Sequence, residues 1–194
     1  MMATTANANE PKDKNILILG DSLSAGLGVN YDQAWPSLLQ LRINKVGASY
    51  SVINAGVSGD TTSGGISRLP RLLKKYSPEI LILELGGNDG LRGTSLKAIK
   101  KNLRNIISSA QSNGITVLLI GVQLPPNYGA LYTKGFEDIF SDLAKEYGLD
   151  LIQGSLKTMI NEGMMQSDGI HPNVTGHRQI ENIIWGRLNK YLEK

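Results

Sequence analysis

Four short polar segments of this chain contain residue types that could carry out chemistry together. They read GDSLS at 20–24, SGD at 58–60, GGNDG at 86–90 and DGIHP at 168–172. A serine hydroxyl is a poor nucleophile unless a positioned base takes its proton and a third group orients that base. His171 follows Asp168 by three residues, so a turn there could fold the carboxylate back onto the imidazole. Ser22, His171 and Asp168 therefore have the residue types of a nucleophile, a general base and its orienting acid.

Attack on an acyl carbonyl also needs hydrogen-bond donors for the oxygen that becomes negative. Gly59 lets the backbone approach a substrate closely, and Asn88 offers an uncharged amide donor that does not compete for protons. Taken singly, each candidate also fits a structural role: Gly59 could permit a left-handed turn, and Asn88 could end a strand. Their joint occurrence after successive predicted strands favours the catalytic interpretation.

The remaining histidine and the composition narrow the chemistry further. The chain has two histidines and no cysteine, which is a poor set of ligands for a metal. His177 lies inside the last predicted helix and does not share a face with His171, so we expect a surface or packing role for it. Neither a Walker A motif nor Gly-x-Gly-x-x-Gly follows the first strand. We therefore expect neither a metal nor a cofactor.

Short apolar runs alternate with segments of helical period, which is typical of a parallel sheet covered by helices on both faces. Five strands are predicted, at 16–19, 51–54, 80–84, 116–121 and 149–152. The predicted helices are 35–44, about 66–76, 95–113, 134–147 and 174–191. We expect a three-layer α/β/α fold of flavodoxin-like order, with a single domain over 16–194 and a flexible polar tail over 1–15.

Composition and charge limit the partners. The chain has 194 residues, 41% hydrophobic and 19% charged, as in ordinary globular proteins, and no apolar run approaches the length of a membrane span. The net charge of +3 is mild, and the basic residues are spread along predicted helices. We therefore expect a small-molecule substrate rather than nucleic acid, and no stable membrane insertion. The sequence leaves the oligomeric state open.

Together the four blocks, GDSL at 20–23, Gly59, GGND at 86–89 and DGIH at 168–171, resemble those of the SGNH (GDSL) hydrolases. The stretches SGDT at 58–61, LGGNDGLRG at 85–93 and LPPNYG at 124–129 are similar to the bacterial thioesterase I, lysophospholipase L1 and arylesterase group. This resemblance implies a Ser22-His171-Asp168 triad that needs no cofactor. It also implies an oxyanion hole formed by the backbone N–H groups of Ser22 and Gly59 and the amide of Asn88.

The resemblance further implies hydrolysis of carboxylic esters and thioesters, such as acyl-CoA thioesters, lysophospholipids and short aryl or alkyl esters, through an acyl-enzyme. We expect the acyl chain to be bordered by Leu91, Leu124, Pro125 and Tyr128. The segment 153–156, Gln-Gly-Ser-Leu, is less apolar than expected for this group. The family's location implies a periplasmic or secreted protein, whereas the residues show no apolar signal segment, so a cytoplasmic location stays open.

Two alternatives differ in activity. A carbohydrate acetylesterase of the same superfamily would use the same residues on acetylated sugars. A non-enzymatic flavodoxin-like binding module, or a receiver domain, would use the same loops to hold a ligand or a partner. A receiver needs acidic clusters at the strand ends and a lysine late in the sheet, and it has no use for Ser22, Asn88 and His171.

Overall fold

The computed structural model describes residues 14–153 and 156–192. The predicted tail at 1–15 lies outside the described residues except for its last two, which belong to the first strand. Of the segment 153–156, residues 154 and 155 also lie outside them. Among the described residues, no helix is long and apolar enough to cross a membrane.

Five parallel strands form one sheet. They are β1 (Lys14–Gly20), β2 (Tyr50–Asn54), β3 (Ile80–Glu84), β4 (Thr116–Gly121) and β5 (Asp150–Gln153). Their order is β2-β1-β3-β4-β5, and every neighbouring pair is parallel. This confirms the predicted five-stranded flavodoxin-like sheet. All the strands end at one edge, where ligands bind in open α/β folds.

Eight helices connect and cover these strands in the described residues. They are α1 (Ser22–Ala25), α2 (Trp35–Lys45), α3 (Thr62–Tyr76), α4 (Gly87–Leu91), α5 (Leu96–Ser112), α6 (Ala130–Tyr147), α7 (Leu156–Asn161) and α8 (Val174–Leu188). Single 3₁₀ turns lie at Tyr31–Gln33, Pro126–Tyr128 and Asn189–Tyr191. The helices α1, α4 and α7 were not predicted, because four to six residues are too few to show a helical period.

Three of the predicted helices differ from the structure by three or four residues at one end, and the other two by a single residue at an end. The helix α3 begins at Thr62, because the Thr61 hydroxyl accepts a hydrogen bond from the Gly64 N–H at 3.2 Å and caps it. The helix α6 begins four residues earlier than predicted, after Gly129. The helix α8 ends at Leu188 and continues only as a 3₁₀ turn, whereas its start is capped by Asn173 as predicted.

Each face of the sheet packs against its own layer of helices. Leu17, Leu19 and Leu83 face the layer formed by α3, α5 and α6. Ile16 and Ile18 face the other layer, formed by α2 and α8. Burying one such side chain stabilises the fold by about 1.5–3 kcal/mol, so both faces hold the sheet firmly. The loops at its carboxyl edge are thereby carried on a rigid support.

Candidate active site

Ser22 is the first residue of α1, directly after the end of β1. Asp21 caps this helix, since its Oδ1 accepts a hydrogen bond from the Leu23 N–H at 3.0 Å. Glycine is required at position 20, because a Cβ there would lie 2.2 Å from Ser24 Oγ and 2.8 Å from Glu84 Oε2. The GDS segment is therefore a tight strand-to-helix turn that places the Ser22 side chain at the carboxyl edge of the sheet.

His171 joins Ser22 to Asp168 through two hydrogen bonds. The Ser22 hydroxyl lies 2.9 Å from His171 Nε2, and His171 Nδ1 lies 2.6 Å from Asp168 Oδ2. With the proton on Nδ1, His171 donates to the carboxylate and its Nε2 is free to accept the serine proton. This arrangement can activate a serine hydroxyl by general-base catalysis.

The carboxylate of Asp168 is fixed by its own turn. Its Oδ1 accepts the backbone N–H groups of Ile170 and His171, both at 2.9 Å, and Gly169 takes a positive φ of 66° between them. These bonds and the one from the imidazole lower the pKa of Asp168 to about 2. Asp168 is therefore an ionised acceptor that holds one tautomer of His171 across the neutral range.

Gln166 ties the His171 loop to the segment that follows α1. Its Nε2 donates to the carbonyl of Leu27 at 2.7 Å and to that of Pro172 at 2.8 Å. Its backbone N–H donates to the carbonyl of His171 at 2.7 Å. Gly28 packs so closely on this amide that a Cβ would lie 2.1 Å from its oxygen. No sequence signal marks Gln166, because its partner Leu27 is 139 residues away.

Asn88 lies in the short helix α4, after β3. Its Nδ2 donates to Asp21 Oδ2 at 3.1 Å, which connects it to the residue before Ser22. The next residue, Asp89, is buried and accepts the backbone N–H and the hydroxyl of Thr62, both at 2.8 Å. The GGND segment therefore joins α4 to both α1 and α3. The positions of Asp21 and Asp89 inside the motifs were the available signal for these contacts.

Gly59 lies in a turn from Val57 to Asp60, closed by the Asp60 N–H donating to the Val57 carbonyl at 3.0 Å. Its φ of 78° is one that glycine adopts without strain. Arg92, just after α4, donates to the Gly59 carbonyl at 3.0 Å. The turn and α4 are thus linked, although Gly59 itself does not line the cavity described below.

An apolar cavity of about 210 Å³ opens beside these residues. Ser22, Asn88 and His171 contribute to its wall, together with the predicted Leu91, Leu124 and Pro125. The cavity is also lined by aliphatic and thioether side chains from β4, β5, α7, α8 and the segment before His171: Ile120, Ile152, Met159, Met165, Ile180, Ile183 and Ile184. Tyr128 is not part of the lining; its hydroxyl donates to the Leu91 carbonyl at 3.2 Å.

Two buried acids, Glu84 and Asp21, lie close to Ser22. Glu84 ends β3, and its Oε2 accepts the Ser24 hydroxyl at 2.8 Å and the Asp21 N–H at 3.3 Å, while Oε1 has no partner. Burial, and then the negative charge of Asp21, raise the pKa of Glu84 well above its ordinary value. Burial also raises the pKa of Asp21, against the bonds from Leu23 and Asn88. An acidic residue at the end of an apolar strand was the signal for this pair.

His177 lies away from this chemistry. It is buried, and its Nδ1 accepts the Trp35 N–H at 3.3 Å, so the packing role applies and the surface role does not. Burial, with a smaller effect of His171, lowers its pKa to about 4. In the part of the chain that the structure describes, no group of three or more His, Asp or Glu side chains could hold a metal ion.

Comparison with known proteins identifies the family. Residues 18–179 match the GDSL-like Lipase/Acylhydrolase family. The chain is 41% identical to Esterase TesA of Pseudomonas aeruginosa over 180 residues, which cover 92% of this chain and 90% of that protein. It is 43% identical to Thioesterase 1/protease 1/lysophospholipase L1 of Escherichia coli K12 over 159 residues, covering 81% and 75% of the two chains.

A solved structure agrees with these sequence matches. The psychrotrophic esterase EstA from Pseudoalteromonas sp., inhibited by monoethylphosphonate, superposes with a TM-score of 0.86 at 33% identity, over 92% of this chain and 98% of that one. The resemblance seen in the four blocks is therefore confirmed over most of the chain. This chain belongs to the GDSL-like lipase/acylhydrolase family of SGNH hydrolases.

Proposed function

We propose that the protein hydrolyses carboxylic esters and thioesters with Ser22 as nucleophile, His171 as general base and Asp168 as the acid that orients it. The observation that carries this proposal is the continuous hydrogen-bonded series from Asp168 through His171 to Ser22, at 2.6 and 2.9 Å. It lies at the wall of an apolar cavity, at the carboxyl edge of the sheet. Membership of the family supports the same activity.

The reaction takes two steps. As Ser22 Oγ attacks the carbonyl carbon, its proton passes to His171 Nε2, and the imidazolium is stabilised by Asp168. His171 then gives the proton to the departing alcohol or thiol, leaving the acyl group on Ser22. A water molecule, deprotonated by the same imidazole, releases the acid and restores the serine. The backbone N–H groups of Ser22 and Gly59 and the Asn88 amide serve as donors to the oxyanion in both steps.

The cavity favours an aliphatic acyl group. Much of its wall comes from isoleucine and methionine side chains, which offer an acyl chain apolar contact. Leu91, Leu124 and Pro125 border the same cavity. Tyr128 supports this wall indirectly, because its hydroxyl donates a hydrogen bond to the Leu91 carbonyl. Acyl-CoA thioesters, lysophospholipids and short aryl or alkyl esters all present such a chain and are the proposed substrate classes.

The alternatives predict different behaviour. A carbohydrate acetylesterase needs polar groups to orient a sugar, whereas the walls of this cavity are mainly apolar. A substrate panel of acetylated xylose, palmitoyl-CoA, lysophosphatidylcholine and p-nitrophenyl esters separates the two activities. A non-enzymatic binding module would turn over none of them. By resemblance to its relatives, the protein acts in the periplasm or outside the cell, which fractionation of the native organism would test.

The decisive variant is Ser22→Ala. Removing a nucleophile of this kind lowers kcat by about a millionfold in a comparable triad. We expect loss of p-nitrophenyl butyrate hydrolysis and of labelling by a fluorophosphonate probe. Ser67→Ala is the matched control, because Ser67 lies exposed on α3 and its hydroxyl donates a hydrogen bond to the Ser63 carbonyl of the same helix at 3.1 Å. Undiminished turnover and labelling in Ser22→Ala would refute the assignment.

A further inference from the structure

The side-chain amide of Asn88 is held by a carboxylate that no step of the proposed reaction uses. An amide nitrogen carries two N–H groups. One of them donates to Asp21 Oδ2 at 3.1 Å, which leaves the second for another acceptor. Asn88 and Asp21 both line the cavity beside Ser22. The carboxylate therefore determines which way the amide donor of the proposed oxyanion site is turned.

Asp21 is itself immobilised on three sides. Its Oδ1 accepts the Leu23 N–H at 3.0 Å, and its own N–H donates to Glu84 Oε2 at 3.3 Å. Gly87, the residue before Asn88, lies beside this carboxylate, where a Cβ would make an ordinary contact at 3.4 Å from Asp21 Oδ2. The side chain is only 2% exposed. Since Asp21 precedes the nucleophile directly, it fixes the amide relative to Ser22 rather than to a mobile loop.

We propose that Asp21 is a positioning residue for this hydrolysis: its carboxylate holds the Asn88 amide in the orientation that receives the developing oxyanion. The inference rests on the function proposed above and adds a residue to it. Asp21 acts through Asn88 and does not touch the reacting atoms. The effect belongs to the transition state, because an oxyanion donor in a fixed position needs no rearrangement when the charge develops.

Of the two neighbouring acids, Asp21 and Glu84, Asp21 is the one that carries the negative charge. Both oxygens of Asp21 accept N–H groups, whereas Glu84 Oε1 has no partner and Oε2 accepts the Ser24 hydroxyl and, at 3.3 Å, the Asp21 N–H. The other charges that act on Asp21 are His171, which favours its ionised form, and Asp60, which disfavours it. A neutral Glu84 beside an ionised Asp21 satisfies these contacts best. The carboxylate that holds Asn88 is thus the charged member of the pair.

Asparagine at position 21 is the discriminating substitution. It has one acceptor oxygen in place of two, so it can serve the Leu23 N–H or the Asn88 amide, and its own NH₂ then faces the other donor. We expect Asp21→Asn to lower kcat for p-nitrophenyl butyrate by at least about tenfold with little change in KM. If this variant does not fold, Asp21→Ser keeps a good helix cap but is too short to reach Asn88.

A double variant separates positioning from a merely structural role. Asn88→Ala removes the oxyanion donor and should lower kcat about a hundred- to a thousandfold. Adding Asp21→Asn to Asn88→Ala should lower kcat almost no further, because Asp21 acts through the Asn88 side chain, which is already removed. Asp150→Asn is the matched control: it removes a carboxylate that pairs with Lys190 at 2.6 Å at the opposite edge of the sheet, and its activity should equal that of the wild type.

These variants distinguish a failure of the positioning role of Asp21 from a failure of the proposed hydrolase function. Any one of three results would overturn the positioning role of Asp21. They are losses of kcat that multiply in the double variant, an unchanged kcat in a folded Asp21→Asn protein, and an unchanged kcat in Asn88→Ala. Ser22→Ala in the same assay tests the proposed function separately. If Ser22→Ala abolishes turnover while Asp21→Asn does not lower it, the hydrolase assignment stands and only the role of Asp21 fails. Thermal unfolding of every variant shows that the losses are not losses of fold.

Discussion

Replacing Glu84 by glutamine should stabilise the protein at neutral pH, although it alters a fully buried side chain. Glu84 is 2% exposed, and burial together with the charge of Asp21 raises its pKa well above the ordinary value of 4.5. The folded protein therefore keeps a proton on Glu84 at a pH where the unfolded chain has lost it. Ionisation then favours the unfolded chain, and stability falls as the pH rises from about 4.5 towards the raised pKa.

Glutamine removes this dependence while keeping the contacts. Its amide oxygen can accept the Ser24 hydroxyl and the Asp21 N–H, as Glu84 Oε2 does, and it cannot ionise. A displacement of one pKa unit corresponds to about 1.4 kcal/mol. Since the pKa of Glu84 is raised well above its ordinary value, each pKa unit of that rise adds this amount to the difference, so the free energy of unfolding of Glu84→Gln should exceed that of the wild type at pH 7.5. The two proteins should differ little at pH 4.5.

Urea denaturation followed by tryptophan fluorescence at pH 4.5, 6 and 7.5 measures this difference. Groups that do not contact position 84 titrate alike in both proteins, so the difference between them reports on Glu84 and on its coupling to Asp21. Glu162→Gln, on an exposed turn after α7, is the matched control and should show no growth of the difference with pH. A Glu84→Gln protein that becomes less stable than the wild type as the pH rises would show that Glu84 is ionised in the fold, and would refute the reasoning.

Three further results are expected. Because the pKa of Asp168 is lowered to about 2, its carboxylate should stay ionised in mild acid, so its carboxyl carbon should show no NMR titration between about pH 7 and 4; a protonation midpoint inside that range would contradict this. The pKa of His177 is lowered from 6.5 to about 4, so stability should be lost as the pH falls through that range, by about 3 kcal/mol in all. His177→Asn keeps an acceptor for the Trp35 N–H, and its urea midpoint should fall less than that of the wild type between pH 7 and 4.5. Equal falls in the two proteins would argue against a buried neutral imidazole at position 177. Ile183→Phe places a larger side chain in the cavity wall. It should lower kcat/KM for p-nitrophenyl decanoate by at least about tenfold relative to kcat/KM for p-nitrophenyl acetate. Equal losses on both esters would mean that the acyl chain binds elsewhere.

Much of the fold and of the geometry of the candidate site is local in the sequence and was therefore predictable. Apolar runs such as Ile80–Glu84 are buried on both faces, which only a covered parallel sheet provides. Strand order followed from the doubly wound pattern. The turn that brings Asp168 onto His171 spans three residues, and Gly20 is needed where the strand turns into α1. The predicted Ser22, Asn88 and His171 all lie at one cavity because parallel strands end at one edge.

What only the tertiary structure decided are contacts between residues far apart in the chain. Asp21 meets Asn88 across 67 residues, and Gln166 meets Leu27 across 139. Such pairs are set by how the helices pack on the sheet, and no periodicity or motif spacing encodes that packing. The same holds for Glu84, whose protonation depends on its burial beside Asp21. The sequence by itself therefore determined which residues could do the chemistry, and the packing decided which side chains hold them in place.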